Sequence, residues 1–261
     1  MNKRELGAQY RIKILCLLAV LGYATTRQIA KATWGRCDTS TKKMAGRTLR
    51  WLQGNRLIVS KRDGEGVNKV NNELLFALTA LGAEEARRHG SPLVADKVHA
   101  RDYLRHAHAH RTACNSVYAA VQAPAWSELQ IRAGAGPFGQ FKYRLEGQVV
   151  AKIPDLIVAV GDRYEWIEVE NSWRSDKDLT KVIECMREMF TRVPDRISCM
   201  HFVVTVEGAK TIGKRLRQKL THGPESGWSA PVRQLDARIL AEHLKVSILD
   251  PEALTLREIA F

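Results

Sequence analysis

The sequence predicts an α+β protein in two parts. Residues 1–92 read as short helices closed by a basic hairpin, and residues 99–261 as alternating helices and strands. Three observations carry this. Apolar spacing is helical early and breaks into short strand-like runs later. Positive charge is concentrated early: residues 1–92 hold 17 Lys+Arg against 7 Asp+Glu, the remainder 24 against 21. Finally, KIPDLIVAVGDRYEWIEVEN (152–171) carries three acids, Asp155, Glu168 and Glu170, on what read as core strands.

In chain order, Ile12, Leu15, Leu18 and Ala19 fall on one side of a helix over 10–22, and Gly22 stops it. Thr25 or Thr26 can cap a short helix at 27–34. A turn at 35–39 leads to a third helix, 41–55, with Met44, Leu49 and Leu52 inward and Lys42, Lys43, Arg47 and Arg50 outward. Residues 57–79 read as a hairpin with a Gly-rich tip, carrying Lys61, Arg62 and Lys69. A Thr79-capped helix follows. Three helices and a basic hairpin compose a winged helix-turn-helix, in which the third helix meets DNA bases and phosphates. The closing phrase Leu78-Thr79-x-x-Gly82 resembles that of many bacterial winged-helix domains. A solvated basic helix in a protein-interaction module is the plainer alternative.

Residues 91–102 read as a joint and 99–123 as a long helix. The expected order continues with a strand at 124–134, a Gly-rich loop at 133–142, paired strands at 148–160 and 163–170, an amphipathic helix at 176–192, a buried strand at 199–207 and a basic helix at 208–220. The tail suggests a helix at 235–244 and a strand at 245–249.

A formal net charge of +13 points to a polyanionic partner, nucleic acid or an acidic membrane surface. No apolar run approaches the roughly 20 residues that span a bilayer, and the N-terminus lacks a signal-peptide cleavage site. A cytoplasmic protein without membrane insertion is expected. Five dispersed cysteines without a CxxC pair indicate reduced, buried thiols rather than a disulfide frame or zinc site.

Side chains alternate along a strand, so Glu168 and Glu170 share a face, and a neighbouring strand can set Asp155 beside them. Three buried carboxylates repel one another unless a cation neutralises them. An oxygen-only donor set suits Mg²⁺ or Mn²⁺. Such an ion can activate water and stabilise charge on a scissile phosphate. The plainer alternative is an edge at which Glu168 or Glu170 pairs with Arg163 or Arg174.

Pro154-Asp155 followed by Glu168-Val169-Glu170, within this order of elements, resembles the PD-(D/E)xK nuclease pattern. The resemblance implies that Asp155 and Glu168 bind metal. Its third position is usually a lysine that orients water; here it is Glu170. Lys177 or Lys181 on the following helix is a candidate substitute cation, and Glu128 a candidate additional ligand from the preceding strand. The series W-S-E, I-P-D-L-I and I-E-V-E-N-S, after a His-bearing helix and the winged helix, resembles the replication-relaxation family of plasmid proteins, and its MobC-type relaxases most. That implies a metal-dependent nick at a plasmid transfer origin in a bacterial cytoplasm, on double- and single-stranded DNA. No covalent tyrosine adduct is expected. A relaxosome accessory protein and a coupling protein are the expected partners, and Asp155, Glu168 and Glu170 the catalytic acids. The alternative is a non-catalytic DNA-binding regulator or replication accessory protein with an inactive nuclease fold.

HAHAH (106–110) suggests an HUH-type nuclease, but its surroundings are helical, so His106 and His108 diverge. The glycine-rich GAGPFG (134–139) lacks the Gly-Lys-Ser/Thr of a P-loop. Trp173, beside the acids, is a candidate for stacking on single-stranded DNA.

Overall fold

The computed structural model describes residues 2–62, 73–90, 104, 109–221 and 230–261. The fold is mixed α+β, with several helices and three sheets among the described residues. It divides into two units: Met1–Gln122, Trp126–Pro137 and Pro251–Thr255 in the first, Ala123–Ala125, Phe138–Asp250 and Leu256–Phe261 in the second. The sequence suggests a joint at 91–102; that stretch lies outside the described residues, and the units divide after Gln122.

In the first unit, helix α1 (Lys3–Leu21) starts earlier than apolar spacing indicates, because Asn2 and Glu5 form a capping box. Strand β1 (Ala24–Thr25) runs into α2 (Thr26–Trp34), where Thr25 and Gln28 cap reciprocally. Helix α3 (Thr39–Gly54) begins at Asp38, whose carboxylate accepts from Thr41 N at 2.8 Å. It buries Ala45, Leu49 and Leu52, while Met44 is only half-buried. Strands β2 (Ile58–Arg62) and β3 (Leu74–Leu78) pair antiparallel, and β1 lies on the other side of β3. The tip of this hairpin, including Lys69, lies outside the described residues.

Helix α4 (Ala80–Arg88) explains the Leu-Thr-x-x-Gly phrase. Thr79 Oγ1 donates to Arg56 O at 2.7 Å and accepts from Gly82 N at 3.0 Å. Gly82 lies so close to β2 that a Cβ there would stand 1.8 Å from Leu57 O. Only glycine permits that approach.

Helix α5 (Ala109–Ala120) packs on α2 through buried polar bonds. Gln28 Nε2 donates to Thr112 O and Ser116 Oγ, and Asn115 Nδ2 donates to Tyr23 O at 2.7 Å. These bonds bind α5 to the helical unit rather than to the strand-rich one.

The expected strand at 124–134 is instead a three-residue strand, β4 (Ala125–Ser127), followed by a short helix, α6 (Glu128–Arg132). The local cause is a capping box between Ser127 and Gln130, an S-x-x-Q pattern present in the sequence.

In the second unit, β5 (Phe141–Leu145) and β6 (Gln148–Lys152) form a separate antiparallel pair around a Glu146-Gly147 turn, both residues at positive φ. The loop expected at 133–142 ends at 140, where β5 begins, and the strand expected at 148–160 is two, β6 and β7. Pro154 lacks an N–H, so the ladder ends and restarts as β7 (Leu156–Val160). β7 pairs antiparallel with β8 (Arg163–Glu170). Helix α7 (Asp176–Arg192), as expected from sequence, buries Leu179, Val182, Ile183, Met186, Met189 and Phe190. It leads to β9 (Ile197–Val204), parallel to β8. Helices α8 (Ile212–Thr221) and α9 (Ala230–Arg238) precede β10 (Leu244–Asp250), parallel to β9. Strand β11 (Thr255–Glu258), absent from the sequence reading, closes the order β11-β10-β9-β8-β7-β4.

One face of β8, β9 and β10 holds a buried polar row. His201 Nδ1 lies 3.0 Å from Glu165 Oε2, and His201 Nε2 lies 2.9 Å from Ser247 Oγ. Ser247 is 2% exposed, so this row resembles a hydrolase triad without substrate access. Its effect is to pin the register of three strands, since a slip of one residue would orphan every member. None of the five cysteines is in a disulfide; Cys185 and Cys199 are buried, and Cys16, Cys37 and Cys114 are half-buried rather than buried as expected. Burial pushes the thiols of Cys185 and Cys199 up to about 12.

Candidate functional site

Two groups of charged side chains stand out, one in each unit. In the first, α3 exposes Lys43, Arg47 and Arg50. Their spacing of four and three residues places them along one helical stripe. Lys42 is half-buried beside them, and Lys61 and Arg62 are exposed on β2. Arg11 stacks on exposed Trp51 at 4.2 Å. The cations named from sequence are thus exposed on α3 and β2, apart from half-buried Lys42 and from Lys69, which lies outside the described residues.

In the second unit, Glu168 and Glu170 lie on one face of β8 with Trp166. They are 2% and 3% exposed. Trp166 Nε1 donates to Glu168 Oε1 at 2.7 Å, and Lys152 Nζ donates to Glu168 Oε2 at 2.8 Å. Arg174 Nε donates to both oxygens of Glu170, at 2.7 and 2.8 Å, and its NH2 reaches Glu168 Oε2 at 3.3 Å. Asp155 Oδ2 accepts from Val169 N at 2.7 Å, satisfying a β8 donor beside the start of β7.

The electrostatics follow from this packing. Burial raises the Glu170 carboxyl above the usual range, with the Glu168 and Asp155 charges adding to it and Arg174 opposing. Burial alone would lower Lys152, but the Glu168 carboxylate outweighs it and holds the ammonium above its ordinary value. Arg174 is likewise pushed up: the penalty of burial is overcome by Glu170, Glu168 and Asp155. All three acids thus act on one guanidinium.

Lys152 and Arg174 are bonded to Glu168, and Arg174 to Glu170 as well. This corrects the expectation of Lys177 or Lys181: Lys181 Nζ pairs with Asp178 at 3.3 Å, and Lys177 is exposed on the first turn of α7. Lys152 carries no sequence signal of its role, because it sits three residues before Asp155 on a hairpin strand that reads as the start of a longer one. Glu128 is on helix α6 rather than on a strand, and Arg111 and Arg132 take its oxygens at 2.9 and 2.6 Å. Of the two arginines that the plainer alternative offers the glutamates, Arg174 is the one that pairs with them.

Fold and charge together define a two-unit α+β protein with a cationic helix face in one unit and, in the other, buried acids bonded to Lys152 and Arg174. The chain belongs to the replication-relaxation family, whose model matches residues 15–181. That stretch contains α3, Lys152, all three acids and Arg174. Membership suggests a role in plasmid replication or relaxation. No curated protein and no solved structure matches the chain. Among the described residues no helix is long and apolar enough to cross a membrane.

Proposed function

We propose that this chain is a metal-dependent, site-specific DNA nickase of the MobC relaxase type, acting at a plasmid transfer origin. In this reading residues 1–92 form a winged helix-turn-helix that grips duplex DNA through α3 and the β2–β3 hairpin. Residues 99–261 contain a PD-(D/E)xK-like core. The observation that carries the reading is geometric: Glu168 and Glu170 share one buried face of β8, and Asp155 is bonded to N of the intervening Val169.

Their donor set suits a hard divalent cation in its chemistry, and each acid is bonded to a protein donor as it stands. It offers carboxylate oxygens, and the three acids exceed Lys152 and Arg174 in charge by one. Asp155, Glu168 and Glu170 would hold Mg²⁺ or Mn²⁺, with Arg174 giving up its hold on Glu170. The ion would supply an activated water and charge stabilisation at the scissile phosphate. Lys152, bonded to Glu168, stands in for the lysine that the E-x-E motif lacks: it neutralises one acid and keeps an ammonium beside the phosphate.

A second reading has its own support. Arg174 already fills the place of a cation on Glu170, as it would in a non-catalytic DNA-binding regulator or replication accessory protein with an inactive nuclease core. Supercoiled plasmid bearing the cognate origin separates the two. The nickase converts it to open circle with Mg²⁺ or Mn²⁺, not with EDTA, and leaves no protein attached. Asp155→Ala and Glu168→Ala abolish nicking but keep DNA binding. Absence of nicking, or nicking indifferent to Asp155→Ala, refutes the proposal. Combined Lys43→Ala, Arg47→Ala and Arg50→Ala should lower the slope of log affinity against log salt by about 3, roughly 0.9 for each phosphate no longer neutralised.

A further inference from the structure

Trp173 is 62% exposed, although it lies three residues after the buried Glu170. An indole so placed costs hydration without contributing to a core. It is also held still. The Arg215 guanidinium lies over its ring, 4.5 Å from the centroid. Arg215 is itself fixed, donating to Arg174 O at 2.6 Å and to Asp176 Oδ1 at 2.7 Å. The same Arg174 binds Glu170 and Glu168. One ring face is therefore backed by a planar cation, and the remainder meets solvent on a rigid mount. Cations lie beside it: Lys177 on the first turn of α7 is exposed, and Lys219, one turn after Arg215 on α8, is one-third exposed and stands 3.9 Å from the exposed Asp176.

We infer that Trp173, mounted on Arg215, is a stacking platform for an unpaired nucleotide, with Lys177 of α7 and Lys219 of α8 receiving the flanking phosphates. Charge selects a polyanion. The flat, backed indole selects a partner with a free π face. A duplex hides its base faces in the stack, whereas a single strand presents them. Its site is distinct from the α3 stripe, so duplex and single strand bind through different residues. The inference rests on the reading of the chain as a DNA-binding protein, and wild-type binding of the origin duplex is the separate control on that reading.

The test uses the full chain in EDTA, with fluorescence anisotropy of a labelled oligothymidine and of the origin duplex. Trp173→Ala should weaken single-strand binding by about 5- to 140-fold, the range expected for one lost base–aromatic stack, and leave duplex binding within about twofold. Trp173→Phe should restore most of the affinity. It should also diminish the quenching of tryptophan emission by unlabelled oligothymidine. If Trp173→Ala binds the single strand as the wild type does, the platform belongs to another occupant, such as a protein partner, and the inference is overturned. Equal loss of single-strand and duplex binding overturns it as well, because the change then acts on folding or overall charge. If the wild type fails to bind duplex but keeps Trp173-dependent single-strand binding, the duplex-recognition reading fails and the platform stands.

Discussion

Removing the charge of Lys152 tests whether the acid cluster is held by internal compensation. Glu168 is 2% exposed, and three donors reach its carboxylate: Trp166 at 2.7 Å, Lys152 at 2.8 Å and Arg174 at 3.3 Å. Lys152→Met keeps the apolar stem and deletes the ammonium. Breaking a buried pair from one side costs about 3–5 kcal/mol. Lys152 is one-fifth exposed and Arg174 remains in reach, so the expected loss is about 2–3 kcal/mol. For a domain of this size that lowers Tm by roughly 4–12 °C. Lys152→Met with Glu168→Gln removes both charges and keeps an acceptor for Trp166. The double variant should return to within about 1 kcal/mol of wild type, an order of magnitude drawn from neutralised buried pairs. The assay is urea unfolding at neutral pH in EDTA, followed by far-ultraviolet circular dichroism. A single variant within about 0.5 kcal/mol of wild type, or a double variant as unstable as the sum of the two singles, refutes the compensation argument.

Two further expectations concern stability. Gly82→Ala would put a methyl 1.8 Å from Leu57 O, forcing α4 off β2. The loss should exceed about 3 kcal/mol by thermal unfolding, and a loss under about 1 kcal/mol contradicts the close approach. Glu165 is held below its usual range chiefly by the hydrogen bond from His201, with burial opposing and the His201 and Lys245 charges assisting. A carboxyl lowered in the folded state contributes stability above its unfolded value of 4.5, and that contribution disappears as pH falls through the lowered value. Wild-type stability should therefore fall more steeply below about pH 4.5 than that of Glu165→Gln. Parallel acid curves would refute this.

What was legible in the sequence was what depends on neighbours in the chain. The spacing of Leu179, Val182, Ile183, Met186 and Phe190 marked α7 because one helical face must be apolar whatever it packs against. The alternation in Glu168-Val169-Glu170 put both glutamates on one side of a strand for the same local reason. Where capping and turn chemistry override apolar spacing, boundaries differ: Asn2 with Glu5 lengthens α1, Ser127 with Gln130 makes a helix where a strand is expected, and the Glu146-Gly147 turn pairs Phe141–Leu145, a strand that spacing does not mark, with β6.

Periodicity and capping are set within a few residues of chain, so the sequence by itself determined the helices, the shared face of the glutamates and the cationic stripe of α3. Tertiary structure alone decided the pairings between residues far apart in the chain. Lys152 is sixteen residues from Glu168, and Arg215 forty-one from Arg174; only the folded chain brings them to 2.8 and 2.6 Å. Charge pairing depends on distance and burial in space, and neither quantity is encoded in the spacing of residues along the chain.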